Sequence, residues 1–115
     1  MAIEQISISL ENVPGKLSEV SEILGQNGIN ILAISVVDAA DISSIRIVVN
    51  DPQKAKEVLT SHHYNIHVSE VLAAEAPNHP GGLNAILKPL KERRINVSYL
   101  YPVLGTRDKT ILIVG

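Results

Sequence analysis

The sequence predicts an α+β fold made of two like units in tandem, and three observations carry that prediction. The phrase Asn12-Val13-Pro14-Gly15-Lys16-Leu17 returns 66 residues later as Asn78-His79-Pro80-Gly81-Gly82-Leu83, and self-similarity at such a period makes each copy one supersecondary unit. At the same offset Leu24 matches Leu90, Ile29-Asn30 matches Ile95-Asn96 and Val37 matches Val103. Ile45, Ile47 and Val48 match Ile111, Ile113 and Val114, so the register reads as ungapped. Within each copy, runs of period 2 alternate with runs of period 3.6, which interleaves strands with helices.

Ile6, Ile8 and Leu10 alternate with Ser7 and Ser9, the pattern of a strand with one buried face, over about residues 3–11. Pro14-Gly15 opens a helix over 14–27 whose apolar stripe is Leu17, Val20, Ile23 and Leu24, with Gly28 free to take the left-handed cap. The β-branched runs 29–37 and 42–49 flank the turn-rich Asp38-Ala39-Ala40-Asp41 and read as a hairpin. Asp51-Pro52 then caps a second helix with Ala55, Val58 and Leu59 as its buried face, ending near His62-His63. An extended stretch follows from Asn65 to Ala76. Strand, helix, strand, strand, helix, strand is a split βαβ pair. It gives the ferredoxin-like layout, an antiparallel four-stranded sheet with both helices on one face.

The second copy reads as a helix over 80–94, built on Leu83, Ile86, Leu87 and Leu90, and strands over 95–104 and 109–115. It is therefore an incomplete βαββ unit, with the domains divided as 1–69 and 70–115. By the offset Gly115 stands at the position of Val49, leaving counterparts of the second helix and fourth strand outside the chain. Pro89 falls inside the predicted helix, where it removes one backbone hydrogen bond and is expected to kink it. An open sheet edge is a template for pairing with another chain, so a homodimer or higher homo-oligomer is expected.

Composition narrows the function classes. With 115 residues, 45% of them hydrophobic, the chain suits one ordinary domain or two small ones sharing a core. A net charge of −2, three Tyr and no Phe or Trp speak against nucleic acid. Lys88, Lys91, Arg93 and Arg94 read as the solvated face of one helix. No stretch reaches the roughly 20 apolar residues of a membrane span, and Met1-Ala2-Ile3-Glu4 has no signal-peptide pattern, so a cytoplasmic protein is expected. The absence of cysteine removes disulfides, thiolate catalysis and Cys-based zinc sites.

The repeated phrase carries the chemistry. In each copy a strand gives way to Asn, and Pro-Gly leads into a helix whose first amides have no partners inside the helix. Such an N-terminus favours an anion. Gly15 and Gly81 let a small ligand approach the backbone, and Gly82 extends that open patch in the second copy. Asn12 and Asn78 each offer an acceptor and a donor, which suits the ammonium and carboxylate of a free amino acid. Asn before Pro-Gly is also what an ordinary cap and turn require, and in a single copy that reading is the commoner one.

Asn-x-Pro-Gly-x-Leu after a strand, followed by a helix ending in Gly-Ile-Asn-Ile, resembles the ACT domain family, over the whole first copy and part of the second. The chain looks most similar to the small stand-alone tandem ACT proteins of bacteria, with no catalytic domain attached. In the serine-regulated phosphoglycerate dehydrogenases of that family, the Asn of the Pro-Gly loop and the Asn of the Gly-x-Asn-Ile segment hold the effector. The resemblance carries these roles to Asn12 and Asn30, and to Asn78 and Asn96. The ligand-binding set it implies is Asn12, Val13, Pro14, Gly15, Leu17, Asn30 and Ile31 in the first copy, with Asn78, His79, Gly81, Gly82, Leu83, Asn96 and Val97 in the second. The family's ligand-binding His two residues before the loop Asn is replaced here by Leu10 and Ala76, so serine is not implied and a more apolar side chain has room.

His62, His63, His67 and His79 invite a metal reading, but neighbouring histidines point to different helix faces and no carboxylates join them at ligand spacing. Ser35, Asp38 and Ser43-Ser44 lack a histidine placed as a base. Tyr99 and Tyr101 lie on one strand face and read as packing residues. The expectation is a non-enzymatic regulatory module without cofactor or metal, binding an amino acid or similar small carboxylate near a domain or subunit interface. The alternative is a ligand-independent interaction module serving as regulatory subunit of a metabolic enzyme.

Overall fold

In the first unit the breakers of the sequence end elements close to where they were expected. The computed structural model describes residues 2–11, 13–37, 42–105 and 109–115. Its elements are β1 (Ala2–Glu11), α1 (Lys16–Gln26), β2 (Ile31–Val37), β3 (Ile42–Val49), α2 (Pro52–Ser61), β4 (Asn65–Pro77), α3 (Asn84–Glu92), β5 (Leu100–Pro102) and β6 (Lys109–Val114). By spatial clustering the chain divides into two units. The first is Glu4–Ser69, and the second is Glu70–Gly115 together with the first residues of the chain.

The first unit is a complete ferredoxin-like βαββαβ. Its strands lie in the order β2-β3-β1-β4. β1 runs antiparallel to β3 with Ile6 opposite Ile47, Ile8 opposite Ile45 and Leu10 opposite Ser43. That register stacks the even-numbered residues of β1 on Ile45 and Ile47, and α1 and α2 add Val20, Leu24, Ala55 and Leu59 to one buried cluster. Each fully buried Leu, Ile or Val there contributes about 1.5–3 kcal/mol of hydrophobic stabilisation. Leu17 belongs to the predicted stripe but is exposed. Asp51 caps α2 as expected, its carboxylate accepting from the Lys54 N–H at 3.2 Å, with Pro52 at the first helical position.

The second unit is βαββ, its strands ordered β4-β6-β5. Three details differ from the sequence reading. First, the repeat is not ungapped. Val114 stands opposite Leu72 as Ile47 stands opposite Ile6, although the offset of 66 would align Ile113 with Ile47. The paired residues Pro102 and Leu112 are separated by one residue more than their counterparts Val36 and Ile45, so Gly115 takes the place of Val48 and not of Val49. A one-residue slip exchanges the two faces of a strand, which is why sequence matching misassigned β6. Second, α3 starts at Asn84 instead of residue 80, because Gly81-Gly82 favours turns over helix. The turns are closed by Gly82 N–H to the His79 carbonyl at 2.9 Å and Asn84 N–H to the Gly81 carbonyl at 3.2 Å. Third, the strand predicted from residue 95 is only Leu100–Pro102, as pairing along this edge begins with Ser98 N–H donating to the Gly115 carbonyl at 3.1 Å. Pro89 stays inside α3.

Both copies end their first helix in the same way. Ile29 N–H donates to the Leu24 carbonyl at 3.0 Å, and Ile95 N–H donates to the Leu90 carbonyl at 2.8 Å. The left-handed residue in this turn is Gly28 (φ 70°) in the first copy and Arg94 (φ 55°) in the second.

Candidate functional site

The Pro-Gly loop of the first unit is shaped by Gly15, whose φ of 90° lies in the left-handed region and which is the N-cap of α1. Being glycine, it places no side-chain cap over the first turn; the Lys16 N–H donates to the Val13 carbonyl at 3.5 Å and the Glu19 N–H to the Gly15 carbonyl at 2.9 Å, which leaves the Leu17 and Ser18 amides for an anion. On the near side, Val13 N–H donates to the Glu11 carbonyl at 2.8 Å. A concavity of about 320 Å³ lies beside this loop, lined by Leu10, Glu11, Val13, Lys16, Leu17, Val36, Ser43 and Ile45. That is within the range of small-molecule sites. Its wall is aliphatic, and its polar groups are a carboxylate, an ammonium and a hydroxyl.

Two charges at its edge are held by neighbours. Lys16 Nζ lies 3.9 Å from the Glu19 carboxylate, and the Tyr64 phenol donates to the same carboxylate. Burial and this contact push the Tyr64 phenol up to about 12. A second, more polar hollow of about 270 Å³ shares Glu11 and Lys16 and extends to His62, His63, Tyr64 and Asn65.

The residues predicted to bind do not all meet. Val13 and Leu17 line the concavity, with Pro14 and Gly15 in the connecting turn. Asn12 and Asp38 lie outside the described residues. Asn30 and Ile31 are at the far end of α1, a helix of 11 residues and hence about 16 Å long. There the Asn30 N–H donates to the Asn50 side chain at 2.9 Å and the Asn30 carbonyl accepts from the Asn50 N–H at 3.1 Å. A single first unit therefore does not bring Asn30 to its own Pro-Gly loop.

In the second unit, Asn78, His79, Gly81 and Leu83 are exposed, but the loop amides are largely spent. The N–H groups of His79, Gly82, Asn84 and Ala85 donate to the carbonyls of Pro77, His79, Gly81 and Gly82. Gly82 is buried, and a Cβ there would run into the Pro77 carbonyl oxygen. Its lack of a side chain serves the turn, not an open ligand-facing patch. Asn96 and Val97 line a separate cavity of about 350 Å³ with Leu72, Leu90 and Ile95.

Glu11, Lys16, Val36, Ser43 and Ile45 are lining residues that sequence reasoning missed. Lys16 was visible inside the repeated phrase. Ser43 and Val36 enter only through the strand register, Leu10 against Ser43 and Val36 against Ile45.

His62 closes α2 with its Nδ1 2.9 Å from the Val58 carbonyl oxygen, and among the described residues no group of His, Asp or Glu is arranged to hold a metal. Tyr99 and Tyr101 stack with ring centroids 6.3 Å apart. No described helix is long and apolar enough to cross a membrane.

The sequence profile of the family described as an ACT domain pair matches residues 1–115. The chain belongs to the ACT domain pair family. Similar solved structures include a protein from Bacteroides thetaiotaomicron at 31% identity, with a TM-score of 0.93, covering 100% of this chain and 79% of that one. The regulatory subunit of aspartate kinase from Thermus thermophilus is similar at 14% identity and TM-score 0.72, over 99% and 86% of the two chains. The ACT domain of prephenate dehydrogenase from Bacillus anthracis is similar at 22% identity and TM-score 0.50, over 55% of this ACT pair and 99% of that domain. Among functionally curated proteins none matches. The matched family is one of ACT domains, and no catalytic family is indicated for this chain.

Proposed function

We propose that this ACT pair is a sensor that binds a free amino acid or similar small carboxylate at the Pro14-Gly15 loop of its first unit and regulates a partner by doing so. The observation that carries the reading is the concavity at the glycine-capped start of α1, where Lys16 and Glu11 share one lining with an aliphatic wall. The carboxylate would take Lys16 and the first-turn amides, the ammonium would take Glu11 and Asn12, and Leu10, Val13, Val36 and Ile45 would receive an apolar side chain. Leu10, in place of the family's histidine, favours such a side chain over serine. Because Asn30 lies a helix length away, an Asn of the Gly-x-Asn-Ile type would reach the same ligand only from another ACT unit. Homo-oligomerisation would supply one, and binding would then bias that interface.

A ligand of about eight heavy atoms gains at most about 1.5 kcal/mol per atom, so affinities between micromolar and millimolar are expected. A thermal-shift screen of the purified chain against the twenty amino acids and a few keto acids tests the reading. One ligand should raise the melting temperature. Lys16→Ala should weaken it about ten-fold, the scale of losing a hydrogen bond to a charged group, and Asn12→Ala should weaken it too. No shift with any compound would move the assignment to a ligand-independent regulatory subunit.

A further inference from the structure

The charges beside the Pro14-Gly15 loop are placed against the helix's own preference. Lys16 is the first residue of α1, where the partial positive charge of a helix N-terminus disfavours an ammonium and favours a carboxylate. The carboxylate is Glu19, one turn on. Lys16 Nζ lies 3.9 Å from one of its oxygens, and the Tyr64 phenol donates to the other. The second copy keeps a Pro-Gly entry into a helix but has Gly82 and Ala85 at the matching positions, so such an entry forms without this pair. Lys16 lines both the aliphatic concavity and the polar hollow, whereas Glu19 and Tyr64 line the polar hollow alone. Tyr64 in turn closes the corner between α2 and β4, its N–H donating to the Leu59 carbonyl at 3.1 Å.

We infer that Glu19 is a built-in competitor of the ligand's carboxylate, a positioning residue that holds Lys16 until a ligand takes it, with Tyr64 registering the exchange at the α2–β4 corner. The inference rests on the amino-acid-binding reading above and adds how that site is regulated. Lys16 borders both hollows, so turning toward a carboxylate in the aliphatic one draws its ammonium away from Glu19. Tyr64 weakens the competitor, because a carboxylate already stabilised by a phenol donor gains less from Lys16. Once Lys16 has left, the charge of Glu19 faces the phenol without its counter-ion. Binding therefore reaches Tyr64, which stands outside the lining of the concavity.

Two measurements test the competition. In the first, each of the twenty amino acids is screened by thermal shift at low ionic strength against the wild-type chain and Glu19→Gln, and the one with the largest shift is titrated calorimetrically. Glu19→Gln should tighten binding about two- to five-fold, the scale of an exposed ion pair. Tyr64→Phe should weaken binding, and should change nothing in a Glu19→Gln background. In the second, the Tyr64 ring resonances are followed by NMR. Lys16→Ala should move them without any ligand, binding to the wild-type chain should move them in the same direction, and Glu19→Gln should abolish both movements. Three results overturn this inference and leave the amino-acid-binding reading standing: binding that Glu19→Gln leaves unchanged or weakens, a Tyr64 ring that ignores Lys16→Ala, or ligand shifts at Tyr64 that persist in Glu19→Gln. No binding of any amino acid by either chain overturns that reading and this inference together.

Discussion

Tyr64 shows how one residue ties the end of the first βαββαβ unit to α1. Its phenol donates to Glu19, and partial burial plus that carboxylate favour the protonated ring, raising its pKa from 10.0 to about 12. A group whose folded pKa is raised stabilises the fold fully below its unfolded value and loses that contribution as pH rises through the folded value. The stability difference between wild type and Tyr64→Phe, measured by urea unfolding, should therefore be constant below pH 10 and shrink between about pH 10 and 12. A difference that stays flat across that window would remove the Glu19 contact from the account. At the same scale, Arg94 holds a left-handed φ of 55° where the first copy has Gly28 at 70°. Left-handed backbone costs a side-chain-bearing residue roughly 1 kcal/mol. Arg94→Gly is thus expected to stabilise the second unit by about 0.5–1 kcal/mol in denaturant titrations, while Gly28→Ala should destabilise the first.

At the level of elements, the two copies separate what a helix does for a core from what its sequence pattern implies. Leu24 is fully buried beneath α2, whereas its repeat counterpart Leu90 is half-buried. Leu24→Ala should cost about 2–5 kcal/mol, in the range of cavity-forming core substitutions, and Leu90→Ala distinctly less. Equal losses would mean that α3 packs as tightly as α1. Asp51→Ala should cost about 1 kcal/mol through the lost cap. The same contrast explains what the sequence did and did not make legible. Helices and strands with a buried face announced themselves: Ile6, Ile8 and Leu10 in β1, or Ala55 and Leu59 in α2, repeat at the period their burial requires. The start of α3 and the length of β5 did not. Gly81-Gly82 can satisfy either turn or helix start, and the short β5 depends on where Ser98 finds a partner in Gly115. The register of β6 was hidden because Ile111, Leu112, Ile113 and Val114 are interchangeable apolar residues, so a one-residue insertion leaves no trace in the pattern.

For the whole molecule, tandem duplication supplies two Pro-Gly loops of unequal character. Both spend the amides at matching turn positions, Val13 and Lys16 in the first and His79 and Gly82 in the second, but the first leaves the Leu17 and Ser18 amides uncapped and adds Lys16 and Glu11, while the second goes on to spend the Asn84 amide in a further turn and buries Gly82. Identity of motif, which the sequence made plain, is therefore not identity of site. The difference arises from Lys16 being replaced by Gly82 at the matching position. The central claim is that the first unit alone offers the ligand-receiving loop. It is tested most directly by titrating the isotope-labelled chain with the amino acid that gives the largest thermal shift and following backbone amides by NMR. The account predicts saturable perturbation at Val13, Leu17 and Ser43, with the amides of Gly81 and Leu83 unmoved. Perturbation centred on residues 79–85, with Val13 and Leu17 silent, would contradict it.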